Sequence, residues 1–398
     1  MYTTLVINVD ELWLKGRNRP VYYRAINNHV STLLSFYHRE NYHCKNEEQR
    51  LVAKSVTPFS NELIDALLKV PGIHSVIPAR SIKVDFNYIF PSVLEELSTI
   101  DKEGKTFRVV TKRVNKKFPL NSMEISRRIG ELVLQQNPSM KVNLTNPSLT
   151  IEIRVLRDNI YVSTKKCMGI GGQPCGTSGH VITLLSGGFD SPVASYLMSK
   201  RGCSQTFIFF YAYPFVGQNV VDKIISLAKV LGQFQKESIL YVVPFGDIQK
   251  KISDYCRPEY RTLFFRKYMM DISGLLCSKL GADGLVTGDS LSQVSSQTIF
   301  NIGIIDKHID HVILRPLIGF NKSEIISLAK QINTHDISVI PHDDACSLFS
   351  PKHPIIRPDK NYFASFIEKN PMIEEINICL DQSEIYEINL RGDILKKI

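Results

Sequence analysis

The residue types best able to do chemistry lie together in one short run, Ser186-Gly187-Gly188-Phe189-Asp190-Ser191, inside the stretch VITLLSGGFDSPVASYLMSKRG. Glycines at 187 and 188 remove side chains, so backbone N–H groups can approach a ligand closely. With the hydroxyls of Ser186 and Ser191 and the positive end of a following helix, those N–H groups form an anion site, and phosphate is the obvious guest. Asp190 adds a carboxylate, a candidate for holding Mg²⁺ against a phosphate chain. A plain helix cap by Asp190 is the bland alternative. No Gly-Lys-Ser/Thr follows, which excludes a Walker loop, and the G-x-G-x-x-G spacing of a dinucleotide site is absent.

A phosphate loop needs elements to hold it. Val181–Leu185 reads as a short strand buried on both faces, of the kind found inside a parallel sheet. Asp190 or Ser191 is expected to cap the next helix, Pro192 suits its first turn, and Val193, Leu197 and Met198 supply its apolar stripe. Gly202 is placed to end that helix in the left-handed conformation. Strand, glycine loop and helix together predict an α/β, doubly wound parallel sheet.

The chain of 398 residues is long for one core, so two or three domains are expected. Hydrophobic residues make up 43% and charged residues 22%, and no apolar run approaches the roughly 18 residues of a membrane span. The opening MYTTLVINVD lacks a signal-peptide pattern. Eight cysteines, at 44, 167, 175, 203, 256, 277, 346 and 379, show no C-x-x-C or zinc spacing, which predicts a reducing, cytoplasmic setting. No internal repeat or low-complexity tract is present.

Charge is unevenly divided. Residues 1–167 carry 25 Lys and Arg against 16 Asp and Glu, whereas residues 168–398 carry 23 of each. A phosphate-binding half joined to a basic half suggests a polyanionic substrate. The basic excess is concentrated in VVTKRVNKKFPLNSMEISRRIGELV, where Phe107–Val114 reads as a strand and Asn121-Ser122-x-Glu124 as a helix start. Lys112, Arg113, Lys116, Lys117, Arg127 and Arg128 would then gather around a strand-to-helix connection suited to backbone phosphates. Lys15, Arg17 and Arg19 form a second basic spot, again between an apolar strand and an apparent helix.

Ser-Gly-Gly-Phe-Asp-Ser resembles the PP-loop of ATP pyrophosphatases, which cut ATP between its α and β phosphates and leave AMP on an acceptor. KRVNKKFPLNSMEISRRIG resembles the THUMP RNA-binding signature, and ELWLKGRNRP is similar to a segment of the ferredoxin-like module that precedes it. GGQPCGTSGH, TGDSLSQVSSQT, RPLIGFNKSEI and DDACSLFSPKHP follow in the order of the tRNA 4-thiouridine synthetase family, also called tRNA sulfurtransferases. The resemblance covers essentially the whole chain. It implies a ferredoxin-like domain over 1–60, a THUMP domain over 61–167 and a PP-loop domain over 176–398. It also implies ATP as cosubstrate and uridine 8 of tRNA as target.

Sulfur replacing a 4-oxo group needs a better leaving group than oxygen. Adenylation supplies one, and a sulfur nucleophile can then attack the activated carbon. The resemblance assigns the pyrophosphate grip to Ser186, Gly187, Gly188, Asp190 and Ser191. It assigns nucleotide contacts to Leu184, Leu185, Phe209, Phe210, Arg266, Gly288 and Gln297, with Asp289 offering a further polar group. Phe209 stands where the family pattern has histidine, so a main-chain contact to adenine survives there and an imidazole contact does not. Cys346 matches the family's catalytic cysteine. His342, Asp343 and Asp344, packed into one tight loop, are poor metal-ligand geometry.

Many family members continue into a rhodanese domain. This chain stops at Ile398, 52 residues past Cys346, and so resembles the shorter type. Cys346 would receive sulfur from a cysteine desulfurase or another persulfide donor, with Cys175, then Cys256 or Cys277, as candidate resolving thiols. Monomer and homodimer are both compatible with the sequence, and a link to thiamine synthesis is left open. The competing readings are a PP-loop ligase that adds nitrogen rather than sulfur, and an RNA-binding protein with a non-catalytic nucleotide site.

Overall fold

The computed structural model describes residues 2–213, 217–341, 351 and 353–397, arranged as two compact units, Met1–Gly172 and Gln173–Ile398. The first unit contains β1 (Thr4–Val9), α1 (Arg19–Tyr37), β2 (Tyr42–Glu47), β3 (Arg50–Ser55), α2 (Asn61–Leu68) and β4 (Ile73–Ile82). It continues through α3 (Ile89–Leu97), β5 (Thr106–Arg113), α4 (Ser122–Gln136), β6 (Lys141–Val142), β7 (Leu149–Val155), β8 (Ile160–Ser163) and β9 (Cys167–Met168). Its strands form one sheet in the order β2-β3-β1-β4-β8-β7-β5-β6, with β9 also on β4. The antiparallel run β2-β3-β1-β4 is the ferredoxin-like arrangement. The ten-residue β4 pairs with β1 through Ala79 and with β8 from Arg80, so one long strand belongs to both halves.

The helix start read from the sequence at Asn121 is a full capping box: the Asn121 side chain accepts from the Glu124 N–H, and Glu124 accepts from the Asn121 N–H. Ile125, Ile129 and Val133 recur at helical spacing and bury fully against Phe107, Ile151 and Ile153 of the sheet. Each such side chain contributes about 1.5–3 kcal/mol of burial.

The second unit is built on β10 (His180–Leu184), β11 (Ser204–Tyr211), β12 (Ser238–Pro244), β13 (Gly284–Val286), β14 (Ile313–Leu314), β15 (Glu384–Ile388) and β16 (Ile394–Lys397). The helices are α5 (Asp190–Lys200), α6 (Gln218–Gly232), α7 (Gly246–Tyr255), α8 (Arg261–Leu280), α9 (Ile299–Asp306), α10 (Lys322–Gln331), α11 (His335–Val339), α12 (Lys360–Lys369) and α13 (Ile373–Asp381). The sheet order is β14-β13-β10-β11-β12-β15-β16, with the first five strands parallel and β15 and β16 antiparallel. The doubly wound core is as expected; the antiparallel edge is an addition.

Alternation along β11 sends Phe207 and Phe209 to one face, where they meet α6, and Ile208 and Phe210 to the other, where they meet α7 and α8. A buried polar network ties α5 to this sheet. Thr183 donates to Gln205 Oε1 at 2.7 Å, and Gln205 Nε2 donates to Ser199 Oγ at 2.6 Å and to the Ser195 carbonyl at 2.9 Å. The second half of α5 is thereby tied to β10 and β11.

Candidate nucleotide site

Sequence order runs outward from β10 in both directions, to β11 and β12 on one side and to β13 and β14 on the other. The carboxyl end of β10 is therefore a topological switch point, where open α/β sheets bind ligands. Ser186 to Phe189 bridges β10 and α5 there. Ser191 accepts a bond from the Ser186 N–H at 2.8 Å, lies 3.0 Å from the Ser186 hydroxyl and donates to the Ser186 carbonyl at 3.3 Å. An ideal Cβ on Gly188 would meet nothing closer than Ser186 Oγ at 3.9 Å. No protein contact forces glycine at 188, so the open space it faces is room for a guest.

The expected cap is not made. Phe189 occupies the cap position with helical dihedrals and no side-chain cap bond, while Asp190 and Ser191 lie inside the first turn. Ser191 is engaged by Ser186, and Asp190 turns to a different partner. Its carboxylate accepts from Lys322 Nζ at 2.8 and 3.1 Å and from Gln293 Nε2 at 2.9 Å. Lys322 also lies over the Phe189 ring, 5.4 Å from its centroid. It opens α10, behind a capping box made by Asn321 and Glu324. Lys322 was missed from the sequence; its signal was its place in RPLIGFNKSEI, one of the matched strings. At the helix end, Gly202 adopts φ +88° as expected.

A cation at Asp190 would find one carboxylate, with both oxygens already bonded to donors. Among the described residues no group of three or more His, Cys, Asp or Glu could hold a metal ion. That donor set fits Mg²⁺ carried in on phosphates, which needs only one or two carboxylates, and not a protein-held ion. There the ion would supply charge neutralisation to the phosphate chain.

Gly288, just after β13, packs directly on the loop. A Cβ there would lie 2.6 Å from Ser191 N and 2.9 Å from the Asp190 carbonyl carbon. Glycine at 288 thus lets the chain after β13 approach the α5 backbone closely. Asp289 is 4% exposed, and its oxygens bond Thr287 at 2.8 Å, Arg266 at 2.6 Å and Arg315 at 3.1 Å. Burial pushes its carboxyl up, but the Arg266 charge, bonds from Thr287 and Arg266, and the Arg315 charge outweigh that and hold it below the usual range. Asp289 is therefore an interior brace and not an open polar group. Arg266 is likewise no surface salt bridge: besides Asp289 it donates to Ser296 Oγ at 3.2 Å and the Ser296 carbonyl at 3.3 Å. The Oε1 atoms of Gln293 and Gln297 are buried without a hydrogen-bond partner among the described residues, an arrangement that invites donors from a ligand.

Leu184 ends β10 and Leu185 follows it, its N–H donating to the Ile208 carbonyl at 2.8 Å. Phe209 and Phe210 sit at the corresponding end of β11, each 6% exposed, and Phe210 packs edge-to-face on Phe245. Their rings are core, leaving backbone as the surface for a nucleotide. A second support comes from Lys223 in α6, whose Nζ donates to the Ser338 and Ile340 carbonyls at 2.9 and 2.6 Å. Ser338 in turn donates to the Gly188 carbonyl at 3.2 Å. Burial lowers the Lys223 pKa.

Cys346, with His342, Asp343 and Asp344, lies outside the described residues. Burial pushes the thiols of Cys175 and Cys256 up to about 11. Cys277 is fully buried, as expected of a core thiol.

In the first unit the basic residues divide by task. Lys116, Lys117, Arg127 and Arg128 are exposed, Arg128 lying 5.9 Å from the Phe86 ring. Arg113 instead donates to the Phe118 carbonyl at 2.9 Å, bracing the loop between β5 and α4, and Lys112 pairs with Glu152 at 3.6 Å. Near the amino end Lys15 lies 4.6 Å from the Tyr22 ring, Arg17 is exposed and Arg19 opens α1.

A Ser-Gly-Gly-x-Asp-Ser loop at the switch point of a doubly wound sheet, following a ferredoxin-like and THUMP-type unit, defines an ATP pyrophosphatase of the PP-loop class. Family models match in the same order: the ThiI ferredoxin-like domain at 4–76, the THUMP domain at 89–165 and the thiamine biosynthesis protein (ThiI) at 176–370. The chain belongs to the ThiI family of tRNA sulfurtransferases. A probable tRNA sulfurtransferase of Thermoanaerobacter sp. (strain X514) is 38% identical over 358 residues, 90% of this chain and 93% of its own length. One from Brevibacillus brevis is 34% identical over 394 residues, 98% and 97% of the two chains. The crystal structure of a 4-thiouridine synthetase–RNA complex with bound ATP is similar at TM-score 0.87 and 26% identity, over 98% of this chain and 100% of that one.

Proposed function

We propose that this chain is an ATP-dependent tRNA sulfurtransferase that adenylates uridine 8 and exchanges its 4-oxygen for sulfur, giving 4-thiouridine, AMP and pyrophosphate. The observation that carries this reading is the Ser186–Ser191 loop, open above Gly188 at the switch point, in a chain whose relatives are named tRNA sulfurtransferases. Segments 1–60 and 61–167 bind tRNA through Lys15, Arg17, Arg19, Lys116, Lys117, Arg127 and Arg128, with Lys112 and Arg113 supporting them. Segment 176–398 performs the chemistry.

In this reading the loop N–H groups and the Ser186 hydroxyl grip the β and γ phosphates. Lys322 meets the same charge once ATP displaces it from Asp190. Arg266, Gly288 and Gln297 line the nucleotide, with Gln297 Oε1 accepting from a base or ribose donor. Leu184, Leu185, Phe209 and Phe210 present backbone to adenine, so the missing histidine costs little. Asp190 would hold Mg²⁺ carried on the ATP phosphates, and the ion would neutralise part of their charge. The 4-oxygen leaves with AMP, and Cys346, charged by a cysteine desulfurase or other persulfide donor in the cytoplasm, delivers the sulfur. Cys175 and Cys256 are protonated at neutral pH, so either would need activation to act as resolving thiol.

The test is mass spectrometry of nucleosides from unmodified tRNA incubated with the protein, ATP, Mg²⁺ and either free sulfide or desulfurase plus cysteine. Thiolated uridine is expected from wild type in both reactions, from Cys346→Ser only with sulfide, and from Asp190→Ala in neither. Pyrophosphate release on tRNA without any thiolated base would sink the sulfur assignment and favour the nitrogen-adding ligase.

A further inference from the structure

On the catalytic unit, a cavity of about 260 Å³ opens between one face of α9 and the start of α12. Its floor is apolar, from Ile299, Phe300 and Ile304, and its rim carries Lys307, Arg357 and Lys360. Phe300 is 49% exposed and Ile299 66%, large apolar areas to leave in water. The Arg357 guanidinium lies 4.8 Å from the Phe300 ring centroid.

Among the described residues none of Lys307, Arg357 and Lys360 forms an ion pair. The two nearest carboxylates in the chain are committed elsewhere: Asp306 binds Arg315 through both oxygens at 2.6 and 3.0 Å, and Asp359 caps α12. Three cations without an ion pair among the described residues, gathered around an aromatic face on a unit whose net charge is zero, mark a concentrated anion site. The pocket is also built, not draped: Thr298 Oγ1 donates to the Ile356 carbonyl, and Asn301 Nδ2 to the Ile355 carbonyl, fixing the segment before α12 onto the start of α9. The same turn carries Gln297 and Ser296 toward the nucleotide site.

We propose that this pocket holds an unpaired nucleotide of the RNA substrate close to the target uridine, its base stacked on Phe300 and its phosphates on Lys307, Arg357 and Lys360. At 4.8 Å the Arg357 guanidinium leaves no room for a base between itself and the ring, so the base stacks on the ring area left exposed with the guanidinium beside it; stacking on an aromatic face with cations along the backbone is the general solution for single-stranded RNA. An acidic protein surface is the competing occupant. It would use the cations but gain little from a stacked ring. The proposal rests on the reading that the chain acts on tRNA and extends its contacts to the catalytic unit.

The experiment uses the full chain and unmodified tRNA. Phe300→Ala is expected to raise the tRNA KM about tenfold while the ATP KM stays within about twofold, and Phe300→Trp to restore the wild-type value. Lys307→Gln combined with Lys360→Gln should flatten the slope of log binding constant against log salt by about 1.4, from about 0.7 per single-strand phosphate contact. An unchanged slope in the double variant, with an unchanged tRNA KM in Phe300→Ala, overturns the proposal. So does a fall in desulfurase-supported thiolation with sulfide-supported thiolation intact, which would assign the pocket to a protein sulfur donor. If Phe300→Ala fails to fold, the salt slope of the lysine variant decides. That slope is read from binding alone, so a wild type that binds tRNA without thiolating it refutes the activity and leaves this test standing.

Discussion

Replacing Gly288 by alanine probes how tightly the phosphate loop is held. The added Cβ would sit 2.6 Å from Ser191 N and 2.9 Å from both Asp190 C and Ser191 Cα, where ordinary contact begins at 3.4 Å. The atoms it meets are backbone, so nothing flexible can yield, and α5 must back away by about 0.8 Å. Overpacking of this kind costs about 1–3 kcal/mol of stability. The functional loss should be larger, because the moving residues are Asp190 and Ser191 themselves: the Ser191–Ser186 bonds would lengthen and the Asp190–Lys322 pair would shift. A misplacement near 1 Å can cost about a hundredfold in rate. Denaturant unfolding and tRNA-dependent pyrophosphate release are the two assays, with Gly130→Ala as control. Gly130 lies within α4, and its added Cβ would meet only Val109 Cγ2 at 4.0 Å, so that change should be neutral or stabilise by about 0.5–1 kcal/mol. If Gly288→Ala keeps wild-type unfolding and pyrophosphate release, the loop is not braced by β13 and the site geometry drawn above is wrong.

Lys322→Met should cut pyrophosphate release about tenfold or more, with Lys322→Arg retaining part of it, since the half-exposed pair with Asp190 contributes little to folding and its loss should show in the reaction; equal rates in all three proteins would remove Lys322 from the site. Asp289→Asn should destabilise the catalytic unit by about 3 kcal/mol, because it strips a buried counter-charge from Arg266 and Arg315. The sign of its pH dependence follows from a folded pKa held below the unfolded one: the stabilisation is full above the unfolded value near 4 and is lost as pH falls through the folded value, so the variant's acid limb should be flatter, and identical limbs would contradict the assignment. Lys116→Ala should weaken tRNA binding and lower its salt slope by about 0.9, whereas Arg113→Ala, which loses a bond to the Phe118 carbonyl, should disturb α4 packing in near-ultraviolet circular dichroism with a smaller slope change.

Much of this protein was legible in one dimension wherever the determinant was local. The strand–glycine–helix order around Ser186 follows from apolar runs and two glycines, the capping box at Asn121 from two residues three apart, and the positive φ of Gly202 from the absence of a Cβ. The basic excess of the first unit and its clustering before α4 are counts and spacings, and they lead to RNA. Family resemblance added the order of motifs and, with it, Cys346, which lies outside the described residues.

What tertiary structure alone decided was which groups meet. Asp190 and Lys322 are 132 positions apart, and no periodicity relates them; the sheet order that brings α10 beside α5 does. Asp289 reads as an open polar group until burial and its partners Thr287, Arg266 and Arg315 make it a closed brace. Phe209 and Phe210 read as site residues, and the alternation of β11 in a sheet covered on both faces turned their rings into core. Arg113 looked like one cation among six, yet its bond to Phe118 makes it part of the scaffold. Local propensity acts over a few residues, so a sequence determines its loops, caps and charge; the pairing of distant charges and the burial that changes their role exist only once the sheet has formed.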